Sequence, residues 1–248
     1  MLERLKDLFN SAADNLSFIL MCILIFAGLF LLALLAERYF IKMERYRRRS
    51  KYIACVGMMS TVAAILMLFE IPLFFAPAFY EVDLSELPIL ICTFALGPVA
   101  GVVCEFLKIF IKLIIKGTTT AFVGDFANFV VGCSLVLPAS IIYHKIKTKK
   151  GALIAMAGGT LSMTIFGSLF NAVYLIPTFS KLFGLPLENI IAMGTAVNSN
   201  ITSLSTLVLY AVVPFNLLKG IIVSAITFLL YKRVSGALHM KNSYSNSK

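Results

Sequence analysis

The 248-residue chain contains no tryptophan, two histidines and only 14% charged residues. Soluble domains carry about 25% charge. Most of this chain therefore cannot be solvated, and a soluble enzyme is excluded. Five cysteines occur without a C-x-x-C pair, so metal-ligand spacing and redox motifs are both missing. Cys22, Cys55, Cys92, Cys104 and Cys133 all fall inside apolar runs and read as small packing residues. No metal and no cofactor are expected. The pattern G-x-x-x-x-G-K-[ST] is absent, which excludes ATP binding by a P-loop. No nucleophile–histidine constellation is present either, so the chain is not expected to be an enzyme. His144 and His239 read as ordinary surface residues. No long polar stretch is left over for a second, soluble domain.

What is abundant is apolar: 60% of residues, 21 of them Phe. The mean hydropathy is +0.93. Such a composition fits about six or seven membrane helices with short loops. The net charge of +10 would suggest nucleic acid in a soluble protein. Here no soluble basic face exists, and nucleic acid is not an expected partner; the lipid bilayer is.

Leu16–Ala36 is a continuous apolar run. Glu3, Asp7 and Asp14 precede it in place of a basic n-region, so it reads as a retained helix rather than a signal peptide. Residues 38–51 then hold seven bases, which places that segment in the cytoplasm and the N-terminus outside. Apolar runs follow at 52–69, 87–96, 99–116, 121–143, 152–176 and 206–231. The run 87–96 is too short to span alone unless it starts inside the loop before it. Gly97-Pro98 breaks it from the next. Residues 70–86 carry four acids and no base, as an external loop should. Fifteen of the 22 bases fall in the three assigned cytoplasmic segments, and the C-terminus is then cytoplasmic. The expected organisation is an external segment and extra helix over 1–37, a basic linker over 38–51, a six-helix membrane domain over 52–233 and a cytoplasmic tail over 234–248.

Polar side chains at membrane depth are expensive unless partnered, so each is a functional candidate. Asn171 lies in the fifth core helix. Asn216 and Lys219 share one face of the sixth at spacing i, i+3. Together they suit a neutral ligand rich in carbonyls and hydroxyls; the alternative is an interhelical hydrogen bond. No acid in the last helix can neutralise Lys219, so Lys219→Met should spare the fold, with Glu105 and Asp125 the first candidates for a hidden partner. Glu105, Lys108, Lys112 and Lys116 form a stripe on the third core helix. It reads as a Glu105–Lys108 pair with snorkelling of Lys116, or as partners for Asp125 or an anionic ligand group. The external loop 71–80 is apolar yet contains two prolines, and its aromatics pack either on helices or on a ligand. Gly57, Ser60, Thr61 and Ala64 give the first core helix a small-residue surface that admits another helix, internal or foreign.

Six strings resemble a known family in the right order: Leu68-Phe69-Glu70-Ile71-Pro72; Val82-Asp83-Leu84-Ser85-Glu86-Leu87-Pro88; Phe94-Ala95-Leu96-Gly97-Pro98-Val99-Ala100-Gly101; Lys116-Gly117-Thr118-Thr119-Thr120; Gly124-Asp125-Phe126-Ala127-Asn128-Phe129; and Pro214-Phe215-Asn216-Leu217-Leu218-Lys219-Gly220. Over about residues 51–238 the chain resembles the riboflavin-specific S component of energy-coupling factor (ECF) transporters. The resemblance implies an all-α, six-helix membrane core, here preceded by one extra helix, in a prokaryotic cell membrane. It implies capture of riboflavin from outside, with a separate transmembrane coupling protein and two ATPases supplying energy. It further implies that Asn171, Asn216 and Lys219 hold the vitamin, that the loop with Phe79 and Tyr80 forms a lid, and that Gly117, Thr118 and Thr119 border the pocket. The family docks its coupling protein through an A-x-x-x-A pattern. Here that becomes Gly57-x-x-x-Thr61 and Ser60-x-x-x-Ala64. Rival readings are an S component for another vitamin or for FMN, an intramembrane enzyme using Glu105 or Asp125, and a purely structural membrane subunit.

Overall fold

The computed structural model describes residues 16–41, 49–77, 80–118, 120 and 122–238. Residues 1–15, Phe79, Thr119, half of the basic linker and the last ten residues lie outside the described residues.

Helix α1 (Leu16–Leu35) runs on through a π-helical turn, Ala36–Ile41. Helix α2 (Arg49–Met67) leads to a short antiparallel ribbon, β1 (Ile71–Pro72) and β2 (Glu81–Val82), in register Ile71↔Val82. Helices α3 (Glu86–Leu96) and α4 (Pro98–Lys116) follow, then α5 (Val123–Lys145) and α6 (Lys149–Phe170). A π turn, Asn171–Leu175, carries α6 into α7 (Ile176–Phe183). Helix α8 (Leu187–Thr195) and one turn of α9 (Leu204–Leu207) lead through a second π turn, Val208–Val212, into α10 (Val213–Leu238).

Among the described residues, five stretches are long and apolar enough to cross a membrane: Leu20–Tyr39, Ser50–Met67, Val123–Lys145, Lys149–Lys181 and Leu204–Leu230. Only 11% of the first stretch and 28% of the second is buried, as befits lipid-facing helices. Helix α3 has 11 residues, about 16 Å at 1.5 Å per residue, against a hydrocarbon core of about 30 Å. It starts inside the bundle, because Asp83, Ser85 and Glu86 are all buried. Gly97 separates it from α4 at φ 102°, a left-handed value that only glycine adopts freely, and Pro98 opens α4 where no N–H is needed.

The fifth core helix is longer than its apolar run 152–176: it continues through Pro177 to Phe183. The π turn at Asn171–Leu175 widens the helix just before the proline, so the missing N–H breaks no tight ladder there. The last span repeats the device, with Pro214 two residues beyond its π turn.

The extra helix α1 lies against α4 and α5. Phe26 packs on Phe106 and Phe129, with ring centroids at 4.6 and 5.9 Å. At its far end Glu37 Oε1 accepts the Val99 N–H at 3.1 Å, satisfying an orphan donor in the first turn of α4.

Candidate functional site

A cavity of about 660 Å³ opens between the ribbon, α4, α5, α6–α7 and α10. That lies within the size range of small-molecule sites, roughly 300–1,000 Å³. Two of its walls are built on the π turns, which touch each other. Asn171 opens the first. Its Nδ2–H bonds back to the Gly167 carbonyl at 2.8 Å, leaving Oδ1 to accept from Tyr80 Oη at 2.9 Å. Asn216 follows the second turn and donates to the Val212 carbonyl at 3.1 Å. Its amide rests on Gly167, where an added Cβ would sit 3.2 Å from Nδ2. Tyr80 leans on Phe215, ring centroids 5.1 Å apart, and both line the cavity with Phe179. Burial pushes the Tyr80 phenol up, so it remains a hydroxyl and a donor.

The structure thus brings Asn171, Asn216, Lys219 and Tyr80 to one cavity. It also corrects the reading of Lys219. Its ammonium is not without a protein partner: it donates to Asp83 Oδ2 at 2.9 Å, and both side chains are buried. The partner is neither Glu105 nor Asp125. Asp83 Oδ1 in turn accepts the Ser85 N–H at 2.8 Å. Burial alone would raise the Asp83 carboxyl; the ammonium charges of Lys219 and Lys108 and these hydrogen bonds outweigh it and hold the carboxyl below its ordinary range. A depressed carboxyl contributes stability above its ordinary titration range and loses it only as the pH falls through the lower value. The Asp83 carboxyl therefore stays ionised at every physiological pH.

The lysine stripe divides. Lys108 lies between Glu86 and Glu105, at 2.8 and 2.7 Å. Lys112 pairs with Asp125, and Lys116 with Glu70 at the rim. Lys116 therefore has a carboxylate partner in place of simple snorkelling. Gly117 and Thr118 do not line the cavity; Thr120 and Gly124 do. Gly117 at φ 79° turns the chain, and Thr118 Oγ1 accepts the Phe122 N–H at 2.9 Å. Phe122 is itself at φ 69°, a strained value for a bulky residue. Gly117 and Thr118 thus shape the entry to α5.

On α2, Ser60 and Ala64 are fully buried, whereas Thr61 is exposed and Gly57 half-buried. Only the Gly57–Thr61 side is open to a partner. Among the described residues no group of three or more His, Cys, Asp or Glu is arranged to hold a metal ion. Cys92 and Cys104 are free thiols with sulfurs 3.5 Å apart.

Sequence reasoning missed Asp83, Glu86 and Thr120. The signal for Asp83 was present: an intramembrane lysine demands an acid, and Asp83 stands in a string that contains Ser85 two residues on, the spacing of an Asx turn.

A helical membrane bundle with an amide-walled, aromatic-lined cavity is a small-molecule capture protein. The chain belongs to the family of substrate-specific components of ECF transporters, whose model matches residues 51–231. It is a transport component and not an enzyme. It is 29% identical over 194 residues to the riboflavin transporter FmnP of Bacillus subtilis (strain 168), covering 78% of this chain and 96% of that protein. It is 29% identical over 191 residues to the riboflavin transporter RibU of Staphylococcus aureus (strain TCH60), covering 77% and 94%. A solved S component of a bacterial ECF transporter superposes with a TM-score of 0.61 at 30% identity, covering 77% of this chain and 99% of that one. The family match starts beyond α1, which is an addition to the shared core.

Proposed function

We propose that this chain captures riboflavin at the outer face of a prokaryotic cell membrane and passes it inward with a separate coupling protein and two ATPases. The observation that carries the reading is the convergence of Asn171, Asn216 and Lys219, from two different spans, on one aromatic-lined cavity. Amide and ammonium donors suit ring carbonyls and a polyol chain. Tyr80 and Phe215 offer faces to a flat ring system. The curated relatives above are named riboflavin transporters.

Two bonds fasten the ribbon over the cavity, Tyr80 to Asn171 and Asp83 to Lys219. Each ends on a proposed vitamin ligand. Riboflavin entering the cavity competes for these donors and acceptors, so the ribbon opens for entry and is re-bonded through the ligand. The basic segments at 38–51 and 145–150 place the linker and the α5–α6 turn in the cytoplasm, which puts the ribbon outside. The coupling protein docks on the Gly57–Thr61 side of α2.

Detergent-purified protein should be yellow, with a flavin spectrum, and should hydrolyse no ATP. Asn171→Leu removes one acceptor and one donor from the cavity and should weaken riboflavin at least tenfold in a fluorescence titration. A colourless protein that fails to bind added riboflavin would overturn the assignment. Tyr80→Phe keeps the ring and removes the hydroxyl that bonds Asn171. A neutral hydrogen bond is worth about 0.5–1.5 kcal/mol. Riboflavin should therefore dissociate several-fold faster from Tyr80→Phe at nearly unchanged thermal stability, measured by stopped-flow fluorescence.

A further inference from the structure

We propose that Glu86 and Glu105 hold a single proton between them, forming a carboxylic acid–carboxylate pair in the wall behind the cavity.

The charge count comes first. Asp125 is closed off with Lys112, and Glu70 with Lys116. What remains in the interior is Asp83, Glu86 and Glu105 around Lys108 and Lys219. Three carboxylates face two ammoniums, and all five side chains are buried. An uncompensated charge at membrane depth is among the most costly features a bundle can carry. One positive charge is missing, and the geometry shows where it belongs.

Lys108 cannot supply it. Its ammonium donates to Glu86 Oε1 at 2.8 Å and to Asn128 Oδ1 at 3.0 Å, and lies 2.7 Å from Glu105 Oε2 as an ion pair. Three oxygens are left without a hydrogen bond. Glu86 Oε2 and both oxygens of Glu105 are buried and accept none from any group among the described residues. The two carboxyl groups nevertheless meet at one ammonium, each with an oxygen within 2.8 Å of Lys108 Nζ. Two carboxylates cannot bond to one another; a carboxylic acid and a carboxylate form one short, charge-assisted bond. One proton placed there joins a stranded oxygen of Glu86 to one of Glu105 and closes the charge count.

A metal cation does not fit the same place. The Lys108 ammonium already occupies the centre between the two acids. On the far side Glu105 is pressed against α5 at Gly132, where an added Cβ would lie 2.6 Å from Oε1. A hard cation needs several oxygen ligands and room for them. The other ionisable neighbours are Asp83 on the ribbon, Lys219 on α10 and the Cys133 thiol on α5. Glu86 lines the cavity and Glu105 does not. The shared proton is thus one side chain removed from a bound ligand. The pair stands whether or not the ligand is riboflavin.

The test is infrared spectroscopy of the full-length, detergent-purified protein at neutral pH. A carbonyl stretch of a protonated carboxylic acid is expected. Glu105→Gln should remove it while keeping the hydrogen bond to Glu86, and should leave the melting temperature and the riboflavin titration as in the unchanged chain. Asp125→Asn should leave the band in place. Should Glu105→Gln fail to fold, Glu86→Gln provides the same spectral comparison. Absence of an acid band in the unchanged chain, or a band that survives replacement of both Glu86 and Glu105, would overturn the proposal. So would a melting temperature that rises when choline chloride is replaced by sodium chloride, because that would put a metal ion in place of the proton.

Discussion

Lys219→Met should lower the thermal stability sharply and cost most of the riboflavin binding. The substitution keeps the apolar stem and removes the ammonium, which leaves the Asp83 carboxylate buried without its ion-pair partner, held only by the Ser85 N–H and the more distant Lys108 charge. Breaking a buried pair from one side costs about 3–5 kcal/mol, because the remaining charge has lost its partner. That is a large part of the 5–15 kcal/mol total typical of a folded domain. The single variant therefore cannot distinguish a ligand from a bolt. The double variant Asp83→Asn/Lys219→Met can. It removes both charges at nearly constant volume, so the melting temperature should return most of the way. Riboflavin affinity should not return with it. Hydrogen bonds from a charged donor are worth about 1.5–3 kcal/mol, a loss of tenfold or more. Recovery of both stability and affinity in the double variant would make Lys219 a fastening for the ribbon only. Failure to recover stability would mean that the pair is not what the single variant lost.

The legible part of this site was the part that violates local composition. Asn171, Asn216 and Lys219 stand out because each is polar inside an apolar run, and the structure puts all three on the cavity. Asp83 did not stand out by itself, because an acid in an external loop is ordinary and its Asx-turn spacing names no partner. Its role appears only when the ribbon folds back into the bundle and meets a side chain 136 residues away. The buried Glu86 was hidden for the same reason, since its partner Lys108 lies 22 residues further on. Helical periodicity put Gly57, Ser60, Thr61 and Ala64 on one small-residue surface but carries no sign for inward or outward. Packing decides that Ser60 and Ala64 face in. The apolar run 152–176 stops short of the helix end because the π turn before Pro177 lets the helix continue through a proline to Phe183. The short span α3 was readable as one that begins within a loop, since ten apolar residues cannot cross a bilayer.

Gly159→Leu should disrupt both fold and binding, while Gly57→Leu should disrupt neither. The buried face of α6 runs through Ala152, Ala155, Met156, Gly159, Thr160, Met163 and Gly167 to Asn171. At Gly159 the helix lies against the α5 backbone: an added Cβ would meet the Leu135 carbonyl oxygen at 2.6 Å and the Ala139 Cβ at 3.0 Å. A backbone carbonyl held in a helix cannot rotate away, so the α5–α6 seam must open. Overpacking of this kind costs about 1–3 kcal/mol, occasionally more. Asn171 lies twelve residues on, roughly 18 Å along the same helix. A shift of α6 therefore re-aims the amide, and riboflavin affinity should fall together with the melting temperature. Gly57 has nothing within 4 Å of an added Cβ, and leucine is a better helix former than glycine by nearly 1 kcal/mol. Gly57→Leu should melt at or above the unchanged chain and bind riboflavin normally. If the Gly57–Thr61 side seats the coupling protein, the added bulk keeps the two helices apart, and riboflavin uptake by cells that carry the coupling module should drop severely. Normal uptake with Gly57→Leu would release that face from docking. A wild-type melting temperature for Gly159→Leu would show that α5 and α6 do not approach as closely as the Leu135 carbonyl requires.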